Sequence, residues 1–396
     1  MAIDHTQKIN GNGAAPHHAE LDASKLVVTL AKELKPVPDP ETLVFGQTQT
    51  DHMLVVNYDP VVGWETPEIK PYGPLTLDPM SSCFHYCPNV FEGMKAYIGP
   101  NGEARLFRPE KNMARLARSA ERVALPTFDT EAVLTLIKEL IKVDARWIPT
   151  IPGYSLYIRP TIIGTRAALG VAASDSACLY ILLSPAGPYF RGMAKGIPLL
   201  AVGESVRSWP GGTGGHKLGL NYAPGFLPQR IAAKQGYEQI LWLLGDDEKI
   251  TEVGAMNFFV AVQREDGDVD LITPALDGTI LPGITRESTL ALADAHTSSK
   301  ITLPGVLPTQ KIHTHERAIT MEELAKQADA GKVLECFGVG TAVLVAPVSR
   351  IGWKGRDLVL PAHEGGLGPI GKGLEQTILA IQTGRKEFEG WSVPCL

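Results

Sequence analysis

Long apolar runs and clusters of basic residues are both missing from this chain. No uncharged apolar stretch approaches the roughly 20 residues that a transmembrane helix needs. The 37 Lys and Arg residues are outnumbered by 43 Asp and Glu, which gives a net charge of −6, and no segment is rich in Lys or Arg. Neither a membrane nor a nucleic acid is therefore expected as a partner.

Cysteine is scarce as well. Five cysteines in 396 residues are odd in number and scattered, which argues against a disulfide framework and for a reducing compartment. Cys83 and Cys87 flank F-H-Y in a strand-like run, which would hold their Cα atoms about 13 Å apart, too far for a bridge. No second pair of ligands stands at zinc spacing, so no metal site is predicted.

Arginine is absent until Arg105. A mitochondrial presequence is typically rich in arginine and poor in acids, whereas the first residues carry Asp4 and Glu20. The cytoplasm is therefore the expected location, ahead of the mitochondrial matrix. Residues 1–40 are polar and finish in K-P-V-P-D-P, so they are predicted to form a loose tail.

The remaining sequence is typical of a large globular protein, since 44% of its residues are hydrophobic and 20% are charged. Strand-like runs such as 155–164 alternate with helical periodicities over 112–123 and 129–147, which predicts an α/β (α+β) fold. A turn-rich stretch at 188–197 is the predicted linker. It would separate a small α/β domain over 41–187 from a larger cofactor-binding domain over 198–396.

The segment G-G-T-G-G-H-K-L-G places Lys217 among glycines, where bare backbone lets a bulky cofactor approach the amine. Tyr222 and Glu252 follow, so an amine, a phenol and a carboxylate are available around a pyridoxal ring. A phosphate loop is excluded, because His216 and Leu218 flank the lysine where Gly and Ser or Thr are required. An exposed loop lysine remains the alternative on this segment alone.

Two further segments suit an anion. Ile284 and Thr285 stand at the predicted start of a helix, where free backbone amides bind phosphate. F-G-V-G-T-A-V, which contains Thr341, is a second candidate loop. Tyr157 and Arg159 alternate on one strand and so share a face, which suits either a bound anion or a structural ion pair.

Seven motifs, in order, resemble the branched-chain amino acid aminotransferases of the type IV pyridoxal-phosphate fold, especially the eukaryotic subgroup. They are F-E-G-M-K-A, N-M-A-R, S-L-Y-I-R-P, G-G-H-K-L-G-L-N-Y, L-W-L-L-G-D-D with I-T-E-V-G-A-M-N-F-F, L-P-G-I-T-R and E-C-F-G-V-G-T-A. The resemblance covers nearly everything after residue 40. It implies a two-domain enzyme that uses pyridoxal 5′-phosphate and transfers amino groups reversibly between leucine, isoleucine or valine and 2-oxoglutarate.

The resemblance also implies residue roles. Lys217 is similar to the catalytic Schiff-base lysine, Tyr222 to the partner of the ring hydroxyl and Glu252 to the partner of the pyridine nitrogen. The other implied cofactor-binding residues are Arg115 at the phosphate, Asn257, Ile284, Thr285 and Thr341. The implied substrate-binding residues are Phe45, Tyr86, Phe91, Tyr157, Arg159, Val171, Ala255 and Ala342. Val171 matches a position that the neighbouring subunit donates, so a homodimer is expected.

Two departures from the family pattern bear on function. Ala255 stands where vertebrate relatives have Thr, which widens the pocket slightly, and Val343 and Ala346 replace a C-x-x-C. A D-amino-acid or (R)-amine aminotransferase and an aminodeoxychorismate lyase are alternatives within the fold, and S-L-Y-I-R-P and F-E-G-M-K-A argue against them. A non-catalytic pyridoxal-phosphate-binding protein would lack Lys217.

Overall fold

The structure, a computed structural model, describes residues 18–189 and 195–395. The α-helices of these ranges are α1 (Ser82–His85), α2 (Pro109–Arg122), α3 (Thr130–Val143), α4 (Phe226–Lys234), α5 (Ile284–Thr297), α6 (Met321–Asp329) and α7 (Pro369–Gln382). The strands up to residue 186 are β1 (Val27–Val28), β2 (His52–Asp59), β3 (Gly63–Trp64), β4 (Glu68–Pro71), β5 (Asn89–Phe91), β6 (Met94–Ile98), β7 (Ala104–Phe107), β8 (Ser155–Gly164) and β9 (Ala177–Ala186). The later strands are β10 (Ile197–Val202), β11 (Gln239–Leu244), β12 (Lys249–Val253), β13 (Met256–Gln263), β14 (Val269–Thr273), β15 (Ile312–Glu316), β16 (Val333–Gly340), β17 (Leu344–Trp353), β18 (Arg356–Val359) and β19 (Ser392–Pro394).

The first sheet contains the strands before residue 187 together with β19. Its order is β1-β4-β2-β9-β8-β6-β7-β19, with β3 paired to β2 and β5 paired to β8. The central β8–β9 pair is antiparallel over the whole length of β8. Helices α2 and α3 contribute to the same apolar core as this sheet.

The second sheet closes on itself. Its order is β12-β11-β10-β17-β16-β13-β14-β15, and an additional pairing between β12 and β13 joins six of these strands into a ring. In that closing pair Glu252 lies opposite Asn257. One apolar cluster takes residues from every strand of the ring, and a second packs α5 and α7 against β13, β16 and β17. The predicted α/β fold class is confirmed.

Capping residues and the spacing of apolar residues explain why the predicted segments form helices. Asp129 caps α3 by accepting hydrogen bonds from the backbone N–H groups of Glu131 and Ala132, as the sequence indicated. The apolar residues of α3 repeat at helical spacing and are fully buried. Thr320 caps α6 through the N–H of Glu323, and α5 begins at Ile284 as expected. None of the helices in the described ranges is long and apolar enough to cross a bilayer.

The prediction of a loose tail over residues 1–40 is wrong for its later part. Residues 1–17 lie outside the described residues, but β1 pairs in parallel with β4. Farther along, the N–H of Lys35 donates to Asp51 at 2.8 Å, and Arg146 donates to the Lys35 carbonyl at 2.6 Å. A two-residue strand held by backbone pairing leaves no periodic signal in the sequence, so composition alone was misleading.

The prediction of a strand through Cys83 is also wrong. Residues 82–85 form the helical turn α1, and Cys87 follows it with φ of 55°. The separation of about 13 Å inferred from strand spacing therefore does not apply to Cys83 and Cys87. Both thiols are free in the structure.

The boundaries of the predicted domains remain predictions. The linker assigned to residues 188–197 contains residues 190–194, which are outside the described residues, and β10 begins at Ile197. One element crosses the division at 187–198: β19, from the end of the chain, pairs with β7 of the first sheet.

Candidate active site

A cleft of about 220 Å³ lies where residues of the two sheets meet. Most of the predicted site residues line it. They are Phe45, Phe91, Arg115, Tyr157, Arg159, Lys217, Tyr222, Ala255, Asn257, Ile284, Thr285, Thr341 and Ala342. Residues from eight separate parts of the sequence thus converge on one cavity.

The backbone of Lys217 forms hydrogen bonds with α2 and with β5 of the first sheet. Its N–H donates to the Ser119 hydroxyl on α2 at 2.9 Å, and its carbonyl accepts from the N–H of Phe91 on β5 at 3.2 Å. The Nζ atom donates to the Tyr222 hydroxyl at 3.3 Å and lies 4.9 Å from the centre of the Phe91 ring. The lysine and the phenol are therefore held side by side in the cleft.

The guanidinium of Arg115 is held in place by the carboxylate of Glu92. Its Nε and Nη2 atoms contact the two oxygens of Glu92 at 2.6 and 2.8 Å, and Nη1 donates to the Pro282 carbonyl at 3.1 Å. Asn112 donates to the same carboxylate at 2.8 Å. Burial is the largest single effect and would raise the pKa of Glu92. The charge and hydrogen bonds of Arg115, together with Lys217 and Asn112, outweigh it and hold that pKa below its ordinary value.

Backbone amides face the same end of the cleft. The helix α5 starts after Gly283 without a side-chain cap, so its first N–H groups at Ile284 and Thr285 have no partner within the helix. The turn that joins β16 to β17 brings Thr341 alongside. Together with Arg115 these donors are of the kind that binds a phosphate group.

A second buried carboxylate, Glu252, lies just behind the lining of the cleft. Its Oε1 atom accepts from the Leu281 N–H at 2.7 Å and from the Asn257 amide at 3.4 Å, while its Oε2 atom lies 2.8 Å from Nε of Arg207. Burial raises the pKa of Glu252, and Arg207 opposes that effect only in part.

Aromatic rings form the remaining wall. The Phe45 ring contacts the rings of Tyr157 and Tyr189 edge-on, with centroids 4.7 and 5.0 Å apart. Arg159 donates to the Tyr157 hydroxyl at 2.9 Å and lies over the Phe91 ring. Tyr157 and Arg159 therefore do share a face, and the surface around them is apolar with a polar edge.

Tyr86 and Val171 are not in this cleft. The helical turn α1 directs Tyr86 outward, where it is 41% exposed and its hydroxyl donates to the carbonyl of Leu169. Val171, two residues farther on, is 85% exposed. The predicted roles of Tyr86 and Val171 in substrate binding therefore stay predictions.

Comparisons with known proteins agree with this geometry. The model of the family "Amino-transferase class IV" matches residues 89–351. The mitochondrial branched-chain-amino-acid aminotransferase of Saccharomyces cerevisiae is 48% identical over 377 residues, which cover 94% of this chain and 93% of the relative. This chain belongs to the class IV aminotransferase family.

Two further relatives extend the likeness. The cytosolic branched-chain-amino-acid aminotransferase of the same yeast is 47% identical over 377 residues, covering 94% of this aminotransferase and 97% of the relative. The crystal structure of the branched-chain aminotransferase from Thermoproteus uzoniensis with norvaline has a TM-score of 0.68 at 25% identity. The match covers 87% of this chain and 100% of the Thermoproteus chain. The type IV fold expected from the sequence is confirmed.

Class IV aminotransferases use pyridoxal 5′-phosphate, and the cleft fits this cofactor. Arg115 and the amides of α5 suit its phosphate, whereas Glu252 suits its pyridine nitrogen. Glycine lets two lining side chains approach the backbone closely: a Cβ atom at Gly93 would lie 2.1 Å from the Tyr157 hydroxyl, and one at Gly283 would lie 2.1 Å from Asn257. The aminotransferase therefore presents donors and space of the right kind.

Sequence reasoning missed four polar residues of this aminotransferase. Glu92 and Arg207 pair with predicted site residues, and Gln239 lines the cleft. Lys95 donates from Nζ to the Ala342 carbonyl at 2.8 Å, and burial lowers the pKa of Lys95 to about 8. Glu92 and Lys95 belong to F-E-G-M-K-A, so that motif was the available signal. Arg207 is in a loop without any recognised pattern.

Proposed function

We propose that this aminotransferase transfers the amino group reversibly between L-leucine, L-isoleucine or L-valine and 2-oxoglutarate, giving branched-chain 2-oxo acids and glutamate. The observation that carries the proposal is the position of Lys217 Nζ between Tyr222 and Phe91, in a cleft with an arginine at one end and a buried carboxylate at the other. The relatives named above, called branched-chain aminotransferases, support the substrate class.

Each residue of the cleft has a role in the proposal. Pyridoxal 5′-phosphate, when bound, supplies a ring that withdraws electrons from the α-carbon of the substrate. Lys217 Nζ carries the cofactor and, once released, moves the α-proton as a general base. Tyr222 bonds the ring hydroxyl, and Arg115 with Ile284, Thr285 and Thr341 binds the phosphate. Asn257 keeps Glu252 in place at the pyridine nitrogen.

The substrate is proposed to lie against the aromatic wall. Phe45, Phe91 and Tyr157 contact the aliphatic side chain, and Ala255 leaves room for a branch. The α-carboxylate is bound by backbone amides of the turn at Thr341 and Ala342, and Arg159 suits the distal carboxylate of glutamate because a guanidinium forms paired hydrogen bonds with a carboxylate.

The proposed assembly is a homodimer in which a second copy completes each pocket. Tyr86 and Val171 support it, since both lie on one exposed surface that also carries Phe84 and Leu169. Coexpression of a Lys217→Ala chain with a Val171→Asp chain tests this arrangement. Random pairing should restore about one quarter of wild-type activity, because half of the dimers would contain one complete pocket. Absence of complementation, or an active monomer, would contradict it.

The proposed compartment is the cytoplasm. Its support is the scattered set of free thiols, which suits a reducing environment. The two yeast relatives are named cytosolic and mitochondrial, so the family occurs in both places. Fractionation of the source cells with an antibody against the chain decides between them.

Lys217→Ala is the test of the proposed function. This variant should fold and retain less than a trace of leucine transamination, because both the cofactor attachment and the base are lost. Lys234→Ala, which removes an exposed lysine in the last turn of α4, is the matched control and should be fully active. Transamination by the Lys217→Ala variant at more than a trace level would remove Lys217 from its role.

A further inference from the structure

Arg207 and Glu252 form a buried ion pair at the edge of the cofactor cleft. Nε of Arg207 lies 2.8 Å from Oε2 of Glu252, and the two side chains are 7% and 3% exposed. The Nη1 atom of Arg207 donates to the Thr279 carbonyl at 3.3 Å. Two residues on, Leu281 donates its N–H to the other oxygen of Glu252. The loop at residues 279–281 thus contacts both the carboxylate and its Arg207 partner.

The surroundings of Glu252 are otherwise cationic. Arg207, Lys217 and Arg115 all lower the pKa of the Glu252 carboxyl, and Arg207 is the strongest of the three. Burial acts in the opposite direction and is the larger effect, so the charge state of Glu252 depends on its partners. Arg207 is the only one of these cations in direct contact with it among the described residues.

A carboxylate next to a pyridine nitrogen shares one proton with it. If the proton resides on nitrogen, the ring is positively charged and withdraws electrons strongly. If the proton resides on the carboxyl oxygen, the ring is neutral and withdraws them weakly. A guanidinium that bonds the carboxylate favours its ionised form, because a charge-assisted hydrogen bond is stronger than a neutral one.

We propose that Arg207 is a positioning residue of the reaction, whose guanidinium holds the Glu252 carboxylate ionised and aligned so that the shared proton resides on the cofactor nitrogen. This inference rests on the proposed role of Glu252. Arg207 does not line the cleft, so it acts through Glu252 and not on the substrate. No bond is made or broken at Arg207; only the position of one proton depends on it.

Arg207→Met is the test, with nitrogen-15 labelled cofactor as the probe. The ring-nitrogen chemical shift should report a protonated nitrogen in the wild type and an unprotonated one in the variant. The turnover number should fall roughly 10- to 100-fold with little change in KM, since the effect is on the ring and not on substrate contacts. Arg207→Lys keeps the charge and should recover part of both signals.

Cofactor-free protein supplies a second readout. The carboxylic-acid infrared band of Glu252, identified by its loss in Glu252→Gln, should appear at higher pH in Arg207→Met than in the wild type. Arg350→Met is the control for loss of an arginine ion pair in the same sheet, since Arg350 pairs with Asp357 at 2.5 Å and does not line the cleft. It should leave both readouts unchanged.

Two outcomes separate the inference from the function on which it rests. A protonated ring nitrogen and an unchanged turnover number in Arg207→Met, with both lost in Glu252→Gln, would overturn the role of Arg207 alone. A protonated nitrogen and normal turnover in Glu252→Gln would overturn the role of Glu252 itself. If Arg207→Met fails to fold, Arg207→Lys decides: an unprotonated ring nitrogen in Arg207→Lys, with the same chemical shift as in Glu252→Gln, would contradict a charge effect.

Discussion

The two ends of the cofactor cleft are built from the same parts in opposite order. At the end proposed for the phosphate, Arg115 lines the cleft and Glu92 lies behind it. At the end proposed for the pyridine nitrogen, Glu252 lies just behind the lining and pairs with Arg207, which does not line the cleft. Each end is a buried ion pair. In the proposed function the inner partner matches the group it would contact, a cation for phosphate and an anion for a protonated nitrogen.

The two carboxylates differ in how their partners and their burial set the pKa. Glu92 receives both arms of Arg115 and an amide of Asn112, and the pKa of Glu92 lies below its ordinary value. Glu252 receives one arm of Arg207, the N–H of Leu281 and the Asn257 amide, but burial outweighs them and the pKa of Glu252 lies above its ordinary value. The difference teaches that Glu92 is a fixed charge, whereas Glu252 is able to share a proton.

Glu92→Gln breaks the phosphate end, and we expect the largest effect from it. A glutamine would present an amide donor to Arg115 and leave a buried guanidinium without a charged partner, which costs about 3–5 kcal/mol of unfolding free energy. Urea unfolding of the cofactor-free protein measures this loss. Glu322→Gln removes an exposed carboxylate on α6 and should cost almost nothing.

The same pair predicts the pH dependence of folding. Because the pKa of Glu92 is lower in the folded chain than its ordinary 4.5, its stabilising effect is present above pH 4.5 and is lost as the pH falls through the folded value. The gap in unfolding free energy between wild type and Glu92→Gln should therefore narrow below pH 4.5. A constant gap would contradict a charged Glu92.

Glu252→Gln breaks the pyridine end. A neutral amide cannot stabilise a protonated ring nitrogen, so the activation free energy of turnover should rise by roughly 3 kcal/mol or more. The cofactor should remain bound. Steady-state kinetics together with the cofactor content of the purified variant measures both. A nearly normal rate would mean that another group protonates the ring.

Arg115→Ala removes the inner partner at the phosphate end. The cofactor dissociation constant should rise by an equivalent of roughly 1.5–3 kcal/mol, while turnover at saturating cofactor changes less. Arg122→Ala, on the exposed last turn of the same helix, is the control. An unchanged dissociation constant would assign phosphate binding to the amides of α5 and the turn at Thr341 alone.

Lys95→Met tests a residue outside both ion pairs, and we expect a smaller effect from it. The Lys95 ammonium supports the substrate turn through the Ala342 carbonyl, and burial lowers the pKa of Lys95 to about 8. The wild-type KM for leucine should therefore rise as the pH passes about 8 and the ammonium loses its charge. Below that pH, Lys95→Met should raise KM by the equivalent of about 1 kcal/mol. Above it, the KM of the variant should no longer change with pH.

The sequence predicted the parts of the site that lie within local motifs. Lys217 and Tyr222 are five residues apart in one segment, and Ile284 begins a helix that its own sequence indicates. Arg207 could not be predicted, because its contact with Glu252 depends on how β10 and β12 are placed in the closed ring. The strand predicted through Cys83 was wrong because a four-residue helical turn has too few residues to show a period.

The absorption spectrum of the purified protein, recorded before and after addition of L-leucine, tests the central proposal most directly. A cofactor held by Lys217 between the two ion pairs should give a visible band that changes when leucine donates its amino group and returns when 2-oxoglutarate is added. Lys217→Ala should show no such cycle. A band that responds to D-alanine and not to L-leucine, or a cycle that survives in Lys217→Ala, would contradict the proposed function.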